Sequence, residues 1–505
     1  MSLTVPPAAV ADEPPAPLPA QDLGLRDYLQ QVVDRNLGVI GQRLEHQARV
    51  WQVRREWAAF EPELVTSAEH RRTERENNTE QALNQSSSLF AERRDGLKSG
   101  VEGLLPMGTQ YRVGVTWDRI ANNLTRTTTA DRWEDEYQAF TGISLTQPLL
   151  RNFGPQATLA RIHMAAADAE VARQELRKQL MALVGRAEAA YWDTAYAQED
   201  LATRLESAGR AERILRDNRE RVQAGKMSEL EIFEAEAGLA QREALAREAE
   251  QNLAAAVNQL RTFLSASCAE QPAPIRATDT PEESPTDGDR AASLTRAMTL
   301  HPDYLAQRQT IEQENVRLAF ARNQRWPQLD LVASYGLNGL GDTTGGAAAD
   351  ISSSDFEAWS VALELRVPLG GGQRARSELE TARLRKQKAI LELKSIEVEL
   401  ANALDTVRGR LQAVRGLIAG YGKVAEFREK TLAAEMARLD GGKSDSRKVL
   451  QAEQDLVEAR LMKLKSLVDL QKARIDLELT EGAILEKLGF EPVLDDDAGG
   501  GPASL

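Results

Sequence analysis

Cysteine occurs once in this 505-residue chain, as Cys268, and histidine only four times. A single thiol excludes a disulfide framework, and four scattered histidines leave no cluster for a Cys/His zinc site. Aromatic residues make up 5% of the chain, a poor supply for several aromatic-filled cores. Glycine (34) and proline (19) are too few for a collagen-like or wholly disordered chain. No run approaches the ~18 consecutive apolar residues of a membrane helix, so any membrane crossing would have to use strands. Basic residues number 63 against 77 acidic, a net charge of −14. That balance argues against a nucleic-acid partner, which needs a basic face.

Catalytic groupings are missing too. His46, His70, His163 and His301 share no ligand spacing. Cys268 sits beside Pro272 and Pro274 in a polar stretch. Gly370-Gly371-Gly372 has no Lys-Ser/Thr behind it, so it reads as a strand-to-helix turn rather than a phosphate loop. Tyr191, Trp192 and Tyr196 are read as packing residues. The expectation is no enzyme, no cofactor and no metal.

What the chain does have is a duplication. The first copy runs from Pro62 through Pro148 (SLTQPLLRNFG) to Gly225 (RVQAGKMSELEIFEAEA), and the second from Pro327 through Pro368 (LELRVPLGGGQ) to Gly442 (LDGGKSDSRKVLQAEQ). Pro148 and Gly225 are 77 residues apart, Pro368 and Gly442 74. The preceding interval differs, 86 residues from Pro62 to Pro148 against 41 from Pro327 to Pro368, so the first copy carries an insertion among its strands.

Between the second proline and the tip glycine each copy has a sustained 3/4 apolar spacing. In the first it includes Leu159, Ile162, Leu176, Leu180, Leu183, Ala187 and Ala190; in the second Leu379, Ala382, Leu393, Leu400, Val407, Leu411 and Val414. Such spacing marks a helix laid along other helices. It predicts long helices over 155–222 and 373–438, with return helices over about 229–264 and 446–488. Glycine ends each long helix at the tip, and serine (Ser228, Ser444) is expected to cap the return helix.

Strands are expected where apolar and polar residues alternate. Trp359, Val361, Leu363, Leu365 and Val367 fall on one face, and Leu329, Leu331, Ala333, Tyr335 and Leu337 behave alike. Tyr111, Val113, Val115 and Trp117 alternate with polar or small residues, whereas 141–145 is less regular and 63–75 alternates poorly. Alternation over about ten residues fits a transmembrane strand as well as a half-buried soluble sheet. The expected organisation is a disordered segment at 1–20, a first repeat at 21–264, a surface linker at 265–290, a second repeat at 291–489 and a disordered tail at 490–505. Residues 1–20 lack the basic and apolar regions of a signal peptide; the expectation is that an export signal is missing from this version of the sequence.

In their order and spacing, ISLTQPLLRNFG, AEAAYWDTAYAQEDL, RVQAGKMSELEIFEAEAGLAQRE, LDLVASYGLNG, ELRVPLGGG and RLDGGKSDSRKVLQAEQDLVEARL resemble the TolC-type outer membrane efflux proteins. The resemblance spans residues 23–489. It implies a mainly α fold with β: tandem long helical hairpins forming a trimeric α-barrel, joined to a shared transmembrane β-barrel with four strands per subunit. It further implies a homotrimer in outer membrane lipid, with a periplasmic helical portion, acting as a passive exit duct of an efflux or type I secretion system. A periplasmic adaptor and an inner-membrane pump would meet the tips at Gly225, Lys226, Ser228, Gly442, Lys443 and Ser444. The lumen would narrow near Glu231, Asp445, Lys448 and Gln451, where Lys448 and Gln451 replace the acidic residues of some members. No N-terminal lipid-bearing cysteine is present, unlike in many members. A soluble coiled-coil scaffold is the competing expectation; it leaves the paired strands unexplained.

Overall fold

The computed structural model describes residues 21–79, 81, 88–126, 133–225, 227–264, 275–283, 289–441 and 443–489. Two compact units divide the chain. One gathers Met1–Glu45, Arg173–Leu305 and Lys394–Leu505, the other His46–Ala172 and Ala306–Leu393. Each unit thus draws on both copies of the repeat.

Helices α1 (Leu25–Arg35), α2 (Leu37–Trp57), α3 (Pro155–Thr158), α4 (Ala160–Gln223) and α5 (Leu230–Phe263) belong to the first copy. The second copy has α6 (Arg290–Leu300), α7 (Pro302–Gln324), α8 (Thr344–Ser353), α9 (Gln373–Asp440), α10 (Ser446–Glu481) and α11 (Ile484–Leu488). Helix α4 has 64 residues and α9 68; their 3/4-spaced apolar positions, among them Leu176, Leu180, Leu183, Leu379, Leu400 and Leu411, are buried, as expected of helices laid along other helices. No helix among the described residues is long and apolar enough to cross a membrane.

The first unit is centred on Tyr191, fully buried with Tyr28, Leu29, Val184, Leu260 and Ile484. Its hydroxyl donates to Leu23 O at 2.9 Å and Asp279 Oδ2 at 2.7 Å, and Trp192 packs edge-on at 5.7 Å. This bears out the packing role expected for Tyr191 and Trp192. Asp279 also accepts from Leu25 N at 2.7 Å, starting α1. The short strands β1 (Gln21–Leu23) and β6 (Ile275–Ala277) pair in parallel there. The expected surface linker is therefore partly structured: Ile275 is an apolar residue in a polar stretch, and burying it fixes the backbone around it. Helix α10 ends at Gly482, in the left-handed region, where a Cβ would lie 2.7 Å from His301 N; only glycine fits.

The second unit contains one antiparallel sheet of six strands in the order β2-β3-β4-β5-β7-β8: β2 (Glu63–Glu76), β3 (Leu89–Leu104), β4 (Gln110–Arg126), β5 (Trp133–Pro148), β7 (Gln328–Gly341) and β8 (Glu357–Arg366). Among the described residues this sheet therefore has six strands, where four were expected. The insertion in the first copy is an additional strand pair, and β3 is the strand that the alternation did not announce. Beside the sheet, Leu318, Ala321, Leu379 and Ala382 form a small core between α7 and α9.

Candidate channel sheet and helix tips

Antiparallel register places directly opposed residues on one face. Leu64 opposes Val101, Val101 opposes Val113, Val113 opposes Ile143, Ile143 opposes Tyr335, and Tyr335 opposes Trp359. One apolar face thus crosses all six strands. It continues along β8 as Val361, Leu363 and Leu365, and Trp359 is 71% exposed, Leu363 66%. Apolar surface of this extent left bare has to meet lipid or another protein.

The opposite face is polar. Its next row runs Glu63, Glu102, Arg112, Ser144, Ser334 and Ser360. Arg112 pairs with Glu102 at 3.2 Å, the Ser334 and Ser360 hydroxyls lie 2.8 Å apart, and Arg94 donates to Asp118 at 3.0 and 2.5 Å. On this face Gly142 opposes Gly336. A Cβ on Gly336 would lie 2.4 Å from the Phe140 ring and 2.6 Å from Thr141 O, so the missing side chain lets Phe140 lie against the strands. Beyond the apolar band, the apolar face turns charged: His70 meets Asp95 at 2.6 Å and Arg119 meets Asp135 at 2.6 Å. Apolar out, polar in, with charge past the band's end, is the pattern of a membrane-spanning strand.

The helix tips lie in the first unit. Gly225 takes the left-handed conformation that ends α4. Ser228 does not take the capping place expected of it: Glu229 is the N-cap of α5 and makes no side-chain cap bond, while Ser228, one residue earlier, only accepts from Leu230 N through its Oγ at 3.3 Å. At the second tip the capping expectation is corrected: Asp445, not Ser444, caps α10, its carboxylate accepting from Lys448 N at 2.8 Å and pairing with Lys448 Nζ at 2.9 Å. An ionised carboxylate outcompetes a hydroxyl for the helix N-terminal amides. Ser444 Oγ instead donates to Glu435 at 2.6 Å, and Lys443 N donates to Arg438 O at 2.8 Å. Lys226 and Gly442 lie outside the described residues.

Of the expected narrowing residues, Glu231 accepts from Ser446 N at 3.2 Å, Asp445 is the cap just described, and Gln451 donates to Asp455 at 2.8 Å. The structure therefore brings Glu231 beside the start of α10, engages Asp445 with Lys448, and turns Gln451 along its own helix. Lys448 holds the Asp445 carboxyl below the usual range by its side-chain and backbone hydrogen bonds.

Residues not singled out from sequence join the two hairpins. Asn218, 1% exposed, lies among the buried Ala211 and Leu215 of the α4 stripe; a polar residue at a 3/4 position was the available signal. Its Nδ2 donates to Ser446 Oγ at 2.8 Å and Glu231 O at 3.2 Å. Further along, buried Arg242 donates to Glu453 Oε2 at 3.1 Å, Ser207 Oγ at 3.2 Å and Leu450 O at 2.6 Å, linking α4, α5 and α10. No group of acidic, histidine or cysteine residues among the described residues could hold a metal.

An alternating sheet with an apolar outer face, together with paired long helical hairpins, defines a channel-type fold. The outer membrane efflux protein family model matches residues 28–266 and 294–483, and the chain belongs to that family. The proteases secretion protein PrtF of Dickeya chrysanthemi is 27% identical over 406 residues, covering 77% of this chain and 82% of that protein. Among solved structures, the outer-membrane channel OprN matches with a TM-score of 0.63 at 14% identity, covering 91% of this chain and 90% of its own. CusC matches with 0.61 at 15% identity (94% and 99%). The MtrE outer membrane channel of Neisseria gonorrhoeae in its open state matches with 0.59 at 17% identity (91% and 88%).

Proposed function

We propose that three copies of this chain form an exit duct in the outer membrane, the sheets closing together in lipid and the long helices standing in the periplasm. The observation that carries this reading is the six-stranded sheet, apolar on one face and polar on the other, whose two edge strands a single copy cannot hide from hydrocarbon. The duct is passive and has no catalytic step. It serves an efflux or type I secretion system, releasing small molecules or polypeptides, and the secretion role in PrtF's name favours polypeptides.

A periplasmic adaptor and an inner-membrane pump meet the tips at Gly225, Lys226, Ser228, Gly442, Lys443 and Ser444. The lumen narrows at Glu231, Asp445, Lys448 and Gln451. With Glu231 and Asp445 engaged at the start of α10, the narrowing is a mixed polar ring rather than a bare acidic one.

Reconstitution of the detergent-purified protein in planar bilayers tests the duct. The expected result is discrete channels with mild cation preference, in keeping with the net acidic chain. A monomer that stays in solution without detergent and conducts nothing overturns the reading. Anion preference at neutral pH overturns the selectivity.

A further inference from the structure

The sheet ends in two open edges: β2, which leads up from α2, and β8, which leads down into α9. Because the strand number is even and every neighbour is antiparallel, β8 of one copy and β2 of the next run antiparallel too. We propose that these edges pair with Arg366 opposite Glu63, Leu365 opposite Leu64 and Glu357 opposite Arg72 of the partner subunit, so that three copies close an eighteen-stranded barrel. The proposal rests on the trimeric duct above.

Charge complementarity selects this register. It sets opposite charges against each other at both ends of the seam, brings Leu64 (73% exposed) beside Leu365 (64% exposed), and opposes no like charges. Slipping by two residues one way puts Glu364 against Glu63; slipping the other way puts Glu357 against Glu74. Slipping by one turns the apolar set of β8 onto the polar face.

Barrel geometry supports the choice. A row perpendicular to the strands starts at Leu64, reaches Trp359 five strands later, and arrives at His70 of the partner subunit. Each copy therefore displaces the row by six residues, equal to its number of strands. With a rise of ~3.4 Å per residue and a strand spacing of ~4.8 Å, the strands tilt by about 35°. The slip that opposes Glu364 to Glu63 would tilt them by only about 25°, shallower than membrane barrels are. At equal tilt, eighteen strands enclose a barrel about one and a half times as wide as four strands from each of three copies would, in the range that leaves an open aqueous channel.

Disulfide trapping in the intact outer membrane tests the seam. In a Cys268→Ser background, Leu64→Cys with Leu365→Cys is expected to give covalent trimers on non-reducing gels after mild oxidation. Leu64→Cys with Val361→Cys, four residues out of register, is expected to give none. Trapping of the second pair instead of the first overturns the register. Trapping of neither, in protein that is trimeric by native mass and conducts, overturns the edge pairing and leaves the duct standing. A soluble, non-conducting monomer overturns both. As a check that needs no cysteine, Glu63→Arg is expected to lower the SDS-resistant trimer severalfold, and adding Arg366→Glu to restore it to within twofold; failure to restore counts against the pairing.

Discussion

Asn218 on α4 and Ser446 at the start of α10 face each other, both buried, with Asn218 Nδ2 donating to Ser446 Oγ at 2.8 Å. The same hydroxyl lies 3.1 Å from Asn218 Oδ1. Truncating one member strands a buried polar group on the other, at about 1–3 kcal/mol. Asn218→Ala and Ser446→Ala are each expected to lower the melting temperature in detergent. The double variant should lose less than the sum; full additivity would show that the two do not act as a pair.

Arg242 and Glu453 make a second test of the same kind, with more at stake. Their side chains are 7% and 3% exposed. Glu453→Ala leaves the guanidinium uncompensated and is expected to cost about 3–5 kcal/mol, whereas replacing both residues with Met and Leu should recover most of the loss. Thermal unfolding followed by circular dichroism reads the difference.

Glu188 gives the helical unit a pH dependence. Burial, and next the nearby Glu478 carboxylate, push its carboxyl up to about 7. For an acid whose folded value is raised, the penalty is absent at pH values below the unfolded value of 4.5. It grows as pH rises, because the unfolded chain ionises first, and levels off above the folded value. Glu188→Gln is therefore expected to raise stability by about 2–3 kcal/mol at pH 8 and to change little at pH 4. A gain independent of pH would contradict this account.

Asp445 behaves in the opposite sense. Lys448 holds its carboxyl below the usual range, so its contribution is present above the ordinary carboxylate range and is lost as pH falls through the lowered value. Asp445→Ala is expected to cost about 1 kcal/mol as a lost helix cap. Asp445→Asn, which keeps an acceptor, should lose much less at pH 7 and should not show the acid loss. Melting curves at pH 7 and pH 3 separate these outcomes.

Local order was open to view in the sequence. The long helices follow from Leu176, Leu180, Leu183 and their equivalents in the second copy, because a 3/4 spacing has only one regular structure that can bury it. Strands β4, β7 and β8 follow from strict alternation at Tyr111–Trp117, Leu329–Leu337 and Trp359–Val367. Strand β3 stayed hidden, since Arg93, Asp95 and Ser99 break its apolar row and Gly96, Gly100 and Gly103 weaken the alternation. Its place is decided by what lies opposite: Leu97 faces Trp117, and Asp95 faces both His70 and Arg119. The tips divided in the same way. Glycine and serine announced where the chain turns, while Asp445 as the cap and Asn218 as the link to Ser446 depended on which helices came together.

The chain by itself determined the order of its repeated landmarks, the length of its rods and the positions of its turns, because the rods and turns are carried by residues a few positions apart and the repeat by their recurrence. Only the tertiary structure decided that the sheet has six strands, which face of β2 and β3 joins the apolar side, and which polar residues close the contacts between hairpins. Those depend on partners far along the chain, and pairing energy between distant strands and helices leaves no period in the sequence from which to read it.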